Sequence, residues 1–395
     1  MTHLEILKYL DNTFSANFYL VGGFVRDMLS GIHTDDYDIA TDLEPEQILK
    51  IAHEKNIKAI PTGLKHGTVT LFVDGKELEV TTFRQDFENN GRHCSVKYTK
   101  SIKEDSIRRD FTINALYLDA NGQLYDFHSG QDDLKKGRVR FIGDPSERIN
   151  EDYLRMLRFF RFYALFDKNG ISIRDEDFKQ TLNDNATKLK ELSADRISQE
   201  FLKQCKSLNY TRGFATMATI GQLERSFGLN PQTLNSKDSA ITENCSEFFK
   251  LCLLYRNNLS EVLVNKKFNW SNKQKSFVKK LIKVSDFIID EAEIIKLAVI
   301  YTKDVLEFKL IAQYLDGDLI KVELLEFLEM LEQDLPEFQI SGADLISLGF
   351  VADKRLGQAL KCIRQYWLDN NFADKDKCLN FARKILENSL YLQGK

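Results

Sequence analysis

LVGGFVRDMLSGIHTDDYDIAT, residues 20–41, decides how the rest of the chain is read, because it sets Asp36 and Asp38 two residues apart on what reads as a short strand. Side chains at i and i+2 of a strand share one face. The two carboxylates therefore face the same way and together offer oxygen ligands to hard cations. Upstream, Gly22-Gly23 interrupts the apolar strand FYLVG and opens the helix FVRDMLS, whose free N–H groups and positive end make a seat for an anion. A triphosphate on a glycine turn, with metal ions held by nearby carboxylates, is the chemistry of nucleotidyl transfer. The same residues also read as solvated loop charges beside a plain turn, and this stretch alone leaves both readings open.

Working outward, residues 3–11 read as a short amphipathic helix, and Pro45 opens another, PEQILKIAHEKN. The strands GTVTLFV and KELEVTTF follow, joined through Asp74-Gly75, a strong hairpin signal. The second strand alternates Glu77 and Glu79 with Leu78 and Val80, which predicts a sheet edge packed on helices. Beside the Asp36/Asp38 strand, Glu79 becomes either a third carboxylate at the metals or a salt-bridged surface residue. Residues 84–100, polar and holding Gly91, read as a mobile loop. Next, 106–115 reads as a helix that places Asp110 and Asn114 on one face, with Arg109 beside them; a capping network with a satisfied buried Asn is the alternative. Residues 115–118 return to the sheet before the Asn121-Gly122 turn, and 126–144 read as a connection holding one short strand, RVRFI.

From Pro145 onward the apolar period becomes 3.6 and strands vanish. INEDYLRMLRFFRFYALF reads as one long helix whose buried stripe is Leu154, Leu157, Phe160, Tyr163 and Ala164. Asp152 and Arg155 on it are three apart, a surface ion pair at about 0.2–0.5 kcal/mol or something sharper. Asp offers only acceptors and Arg only donors. Such a pair matches a base edge with an amino group beside an unprotonated ring nitrogen, which C and A present and U and G reverse, at roughly 1–3 kcal/mol of discrimination. Further on, Arg196 and Glu200 read as a structural pair four apart, and 206–310 as helices broken at Gly221, Asn230-Pro231 and Asn257-Asn258. Residues 265–284 carry seven Lys and no acid, with Phe268 and Trp270 interleaved, suiting either a phosphate backbone or a solvated helix face. The end, from Ile340, reads as two helices with Lys354, Arg355, Lys361 and Arg364 as RNA contacts.

Composition narrows the class. A net charge of −4 excludes a globally basic nucleic-acid binder, so such contacts must come from local clusters. Six scattered Cys without a CxxC pair suit reduced thiols, and all six His lie at or before His128, which denies the later chain a His-ligated metal site. The N-terminus lacks a signal pattern and no apolar run reaches the ~18 residues that span a bilayer, so the expected location is cytoplasmic, without a membrane partner.

The joint occurrence of LVGGFVRD, DDYDIAT, LEVTTFRQD, RRDFTINA, the DFHSGQDDL to RFIGDP connection and EDYLRMLRFFRF, in this order, resembles the class II nucleotidyltransferases that add CCA to tRNA. That family also contains bacterial poly(A) polymerases, and the resemblance runs almost end to end. It implies an α+β fold: a polymerase-β-like nucleotidyltransferase head (1–144, a small mixed or antiparallel sheet with helices), then an all-α neck with the base-reading helix (145–205), body (206–310) and tRNA-binding tail (311–395). It implies Mg2+ at Asp36 and Asp38, less securely at Glu79, with Gly22, Gly23 and Arg26 by the triphosphate and Arg109, Asp110 and Asn114 by the ribose and phosphates. Glu151, Asp152 and Arg155, with Arg158 alongside, would read the base. The substrates would be tRNA, CTP and ATP, and a homodimer is admitted.

CCA addition is favoured over poly(A) synthesis by the tail segments ISGADL and LGQAL, by the lack of a strongly basic C-terminal extension, and by the full-length 84–100 loop, which is expected to help admit ATP. Two departures stand out: LGFVADKRLGQAL replaces a Gly/Pro-rich turn, which bears on tail contacts, and Asp35 adds a carboxylate beside the usual pair. The rival of another class is an RNA-binding or chaperone protein with an inert head, against which the intact Asp36, Asp38, Arg109, Asp110, Asp152 and Arg155 speak.

Overall fold

Short runs of alternating burial give way, along this chain, to helices buried on one or more faces. The computed structural model describes residues 1–87, 95–168, 170–207, 209–229, 231–232, 242, 244–284, 294–301, 303–316 and 335–391. The architecture is the expected α+β one, and the described residues form two compact units, Met1–Gln274 and Lys275–Lys395.

In the first unit, β1 (Phe18–Val21), β2 (Tyr37–Thr41), β3 (Lys58–Gly63), β4 (Thr68–Val73) and β5 (Lys76–Thr82) build most of one sheet. Two further strands, Leu116–Leu118 and Leu124–Asp126, complete its seven-stranded order β3-β4-β5-β2-β1 followed by those two. Only β2 and β5 run parallel. The β4–β5 turn puts Asp74 and Gly75 at φ 53° and 72°, the primed turn expected of that dipeptide. One sheet face packs Leu20, Ile39, Leu71, Leu78 and Val80 on Ile6, Leu7 and Leu10 of α1 (His3–Phe14) and on Ile48 and Ala52 of α3 (Pro45–Glu54). α2 (Gly23–Leu29) follows β1 directly.

Several local readings are corrected. β5 keeps the predicted alternation, with Glu77 and Glu79 exposed and Leu78 and Val80 buried, yet it lies inside the sheet between β4 and β2. Alternation reports which face is wet and says nothing about whether both edges are paired. The 84–100 loop is in part a hairpin, β6 (Arg84–Phe87) against β7 (Ser95–Tyr98), and its middle, with Gly91, lies outside the described residues. The expected 106–115 helix is instead α4 (Ile102–Ile107) followed by an irregular turn and a 3-10 turn at Thr112–Asn114. The 126–144 connection contains a helix, α5 (Gly130–Lys136), and its strand shrinks to a single bridge between Phe141 and Phe111.

Beyond Pro145 the described residues hold no strand. The expected single long helix is two, α6 (Pro145–Glu151) and α7 (Leu154–Phe166). Asp152 breaks it: its backbone is extended (φ −155°, ψ 106°), and its Oδ1 accepts the Leu154 N–H at 3.1 Å, capping the new helix. A short acidic side chain that competes for backbone donors is the usual agent of such a break. α7 buries the expected Leu157, Phe160, Tyr163 and Ala164 and also Met156, Phe159, Phe162 and Phe166, so it runs through the core, while Leu154 is only half-buried. Around it pack Phe111 and Phe141, α8 (Glu176–Asn185), α9 (Ala194–Cys205) and the helix Tyr210–Thr219.

Two later expectations also change. Phe268 and Trp270 are buried and stack at 4.9 Å, so they are core residues and present no ring face to a base, while the lysines of the helix Asn272–Val284 stay exposed. The end of the chain makes three helices, Gly342–Ser347, Lys354–Asp369 and Lys375–Tyr391, because Ser341 and Asp344 cap the first reciprocally. Lys354, Arg355, Lys361 and Arg364 are exposed, with Arg355 paired to Asp353 and Arg364 bound to the Val299 carbonyl.

Phe159 is fully buried with its ring 4.9 Å from Phe178 and 5.3 Å from Phe160. Phe159→Ala should therefore cost about 3–5 kcal/mol, read as a lowered urea midpoint by circular dichroism; an unchanged midpoint would remove α7 from the core.

Candidate functional site

Asp38 occupies the second position of β2, and its register partner across the one parallel pairing is Glu79 of β5. Asp36 sits two residues before it, just outside the strand and exposed, so the predicted shared face is built from a strand residue and its flank. Burial, then the charges of Asp36 and Glu79, push the Asp38 carboxyl up to about 6. The glycine turn lies directly opposite. A Cβ on Gly22 would sit in contact with Asp38 Oδ2 at 3.7 Å and Arg109 Nη1 at 3.4 Å, and Gly22 has φ +66°, so a side chain there would be strained.

A divalent cation suits this donor set. Asp36 and Glu79 stand near enough to Asp38 to raise its proton affinity, which a bound cation would relieve. Among the described residues no three His, Cys, Asp or Glu close into a cage. An oxygen pair that leaves most ligand positions to substrate phosphates and water is how Mg2+ is usually held.

The polar residues of 106–115 meet by a route other than a shared helix face. Asn114 Nδ2 donates to Asp110 Oδ1 at 3.0 Å across the 3-10 turn. Asp110 Oδ2 accepts from Arg158 Nε of α7 at 2.7 Å, and Asn114 Oδ1 accepts from Arg26 Nη1 of α2 at 2.6 Å. Arg26 is buried, with its guanidinium carbon 4.9 Å from the Phe162 ring and 5.1 Å from that of Phe166. Burial alone would raise Asp110, but the Arg158 charge and the Asn114, Arg158 and Phe111 hydrogen bonds hold it down at about 2.

Asp152 and Arg155 do not pair with each other. Asp152 Oδ2 pairs with Arg196 Nη2 of α9 at 2.7 Å, while Arg155 Nη1 pairs with Glu151 at 2.6 Å and donates to the Arg148 carbonyl. The expected Arg196–Glu200 pair is replaced accordingly: Arg196 goes to Asp152, and the buried Glu200 pairs with Arg161. Sequence spacing marks which residues share a helix face; it cannot see which partners a neighbouring element brings within reach.

One cavity of about 920 Å³ nonetheless gathers most of the predicted residues, with Gly22, Gly23, Arg26, Asp36, Asp38, Arg109, Asp110 and Asn114 on the sheet side and Asp152, Arg155 and Arg158 on the helical side. Glu151 does not line it and stands behind Arg155. Glu79 lines an adjoining cavity of about 460 Å³ that shares Asp38, Arg84, Arg108 and Arg109 with the first. Unforeseen lining residues are Arg84, Arg108, Arg161, Lys203 and Lys206. Arg161 had a signal: Arg155, Arg158 and Arg161 recur every third residue and so keep to one side of α7. Lys203 of α9 and Lys206 just past its end had none.

The chain is similar to known proteins over most of its length. A family profile described as the poly A polymerase head domain matches residues 18–140. The chain is 30% identical to the mouse (Mus musculus) mitochondrial CCA tRNA nucleotidyltransferase 1 over 96% of its own length and 90% of that protein. It is 41% identical to the CCA-adding enzyme of Lactobacillus helveticus over 51% of this chain and 48% of that one. The crystal structure of the Bacillus stearothermophilus CCA-adding enzyme in complex with CTP superposes with a TM-score of 0.78 at 25% identity, covering 98% of both chains.

The Asp110 network predicts an acid limb in stability. A carboxylate held at about 2, against an ordinary 3.8, stabilises the fold fully above pH ~4 and loses that contribution as pH falls through ~2. Asp110→Asn should lower stability by about 2 kcal/mol at neutral pH and flatten the slope between pH ~4 and ~2, measured by urea unfolding across pH.

Proposed function

The chain belongs to the CCA tRNA nucleotidyltransferase family, and on that premise we propose that it builds the 3′-terminal CCA of tRNA from CTP and ATP, without a nucleic-acid template and with release of pyrophosphate. The observation that carries this reading is the one cavity with carboxylates and a glycine turn on its sheet side and an acceptor and a donor, Asp152 and Arg155, on its helical side. Its substrates are tRNA, CTP and ATP, so it binds RNA, and among the described residues no helix is long and apolar enough to cross a membrane. The cysteines Cys205, Cys245, Cys252, Cys362 and Cys378 are free, which suits a cytoplasmic location, although the mouse relative is named as mitochondrial. The division into head, neck, body and tail at 144, 205 and 310 stays part of this proposal.

Asp36 and Asp38 would hold Mg2+ with Glu79 at their flank; when bound, the ions lower the cost of an attacking 3′-hydroxylate and of charge on the α-phosphate and departing pyrophosphate. Gly22 and Gly23 keep the space beside Asp38 free of side chains, and Arg26 and Arg109 bring positive charge to the triphosphate's side of the cavity. Asn114 and Asp110 hold Arg26 and Arg158 in fixed orientations, so the cationic wall is set before the nucleotide arrives.

The base is read by side chains that other residues aim. Asp152 accepts from Arg196 and from the Leu154 N–H, and its carboxylate keeps lone pairs for an amino group of C or A. Arg155 spends Nη1 on Glu151 and the Arg148 carbonyl, which leaves its other N–H groups for an unprotonated ring nitrogen. Uracil and guanine put a carbonyl against Asp152 and a ring N–H against Arg155, so both contacts turn repulsive.

Incubating tRNA that lacks its 3′ terminus with Mg2+ and labelled CTP and ATP should give addition that halts after C, C, A; a long A ladder would overturn the reading in favour of a poly(A) polymerase. Asp38→Asn should keep tRNA affinity while incorporation falls by more than the roughly 100-fold that losing an outer-shell metal partner costs. Asp152→Ala should relax discrimination against UTP by about 10- to 100-fold in competition assays, and unchanged selectivity would move base reading elsewhere.

A further inference from the structure

Behind the arginines of the site lies a carboxylate that lines neither cavity. Asp105, at the fourth position of α4, is fully buried. Its Oδ1 accepts from Arg108 Nε at 2.8 Å and from the Arg84 backbone N–H at 3.1 Å. Its Oδ2 accepts from the Tyr117 hydroxyl at 2.6 Å and from Arg109 Nη2 at 3.2 Å. Tyr117, also fully buried, closes the ring by accepting from Arg109 Nε at 2.8 Å.

The arrangement has direction. Nε and Nη2 of Arg109 are held from behind, and Nη1 is the atom a Cβ on Gly22 would meet at 3.4 Å, so the uncommitted end points at the glycine turn. One carboxylate faces two guanidinium groups. Arg84, Arg108 and Arg109 each line both cavities that meet at Asp38. The Arg84 N–H is also the first of β6, so the same carboxylate fastens the base of the β6–β7 hairpin to the two arginines. Burial alone would raise this carboxyl, yet Arg109 and Arg108 keep it ionised.

We propose that Asp105 is a positioning residue for nucleotide addition: through Tyr117 and its own two oxygens it aims Arg109 and Arg108 at the phosphates of the incoming nucleoside triphosphate. This rests on the functional reading above, because it takes the cavity to be the nucleotide's. Phosphates are common to CTP and ATP, whereas the base is read on the far wall. Loss of the aim therefore weakens both nucleotides alike and leaves base choice and tRNA binding untouched.

The test is steady-state kinetics of the full chain on tRNA ending in its discriminator base and on tRNA ending in CC. Asp105→Asn should raise KM for CTP and for ATP together by about tenfold, the worth of one well-aimed charge-assisted hydrogen bond. KM for tRNA and the preference for CTP over UTP should stay at wild-type values. Tyr117→Phe, which removes only the hydroxyl bridge, should raise both nucleotide KM values in the same ratio by a smaller factor, and the double variant should be no worse than Asp105→Asn. A fall in kcat with unchanged nucleotide KM would show a merely structural carboxylate and overturn the proposal, as would a rise confined to one nucleotide or shared with tRNA. If Asp105→Asn does not fold, an unchanged nucleotide KM in Tyr117→Phe overturns it instead. Wild-type protein that adds neither CMP nor AMP would sink the functional reading itself, a result distinct from any of these.

Discussion

Four side chains, Arg26, Asn114, Asp110 and Arg158, run in hydrogen-bonded sequence from the helix after β1 to the helix α7, and the cavity exists because that run holds its two walls at a set spacing. The ends are charged and the middle is not free to rearrange, since Asn114 both donates to Asp110 and accepts from Arg26. In a partly dry site such a fully satisfied network is rigid, because breaking any member strands a buried polar group. The aromatic rings of Phe162 and Phe166 close over Arg26 and keep water from loosening it.

The site then works by layers of support. Several residues that face the cavity are held by one that does not: Arg155 by Glu151, Asp152 by Arg196, Arg161 by Glu200, Arg109 by Tyr117 and Asp105. Each support satisfies some of the donors or acceptors and leaves others open. A long arginine left to solvent would sample many rotamers, and fixing it on nucleotide arrival would cost ordering entropy at each addition. Held in advance, it contributes its charge at once. An electrostatic conflict stands at Asp38, where burial, Asp36 and Glu79 all oppose its ionisation.

Much of this was readable from residue order. The hairpin turn at Asp74-Gly75, the alternation of β5, the glycine turn before α2 and the change to helix at Pro145 all follow from local sterics and from the period of apolar residues, which act within a few residues of chain. The errors share a cause. Spacing puts Asp152 within a helix that it in fact breaks and pairs Arg196 with Glu200, whereas Arg196 meets Asp152 between two helices and Glu200 meets Arg161 of α7. Phe268 and Trp270 were offered to RNA though they stack inside the core.

Residue types and spacings by themselves pointed to the chemistry: two acids one strand repeat apart, a glycine pair at the turn before a helix, and an acceptor and a donor near the start of a helix suited to the edges of C and A. Tertiary structure alone decided who holds whom. Glu79 stands beside Asp38 because β5 pairs parallel with β2, and Asp105 reaches Arg84, Arg108, Arg109 and Tyr117 because three segments converge on one buried point. Periodicity encodes the orientation of a side chain on its own element, whereas a buried partner is selected by competition among every donor and acceptor that folding brings within reach, and that competition has no signature in a single stretch of chain.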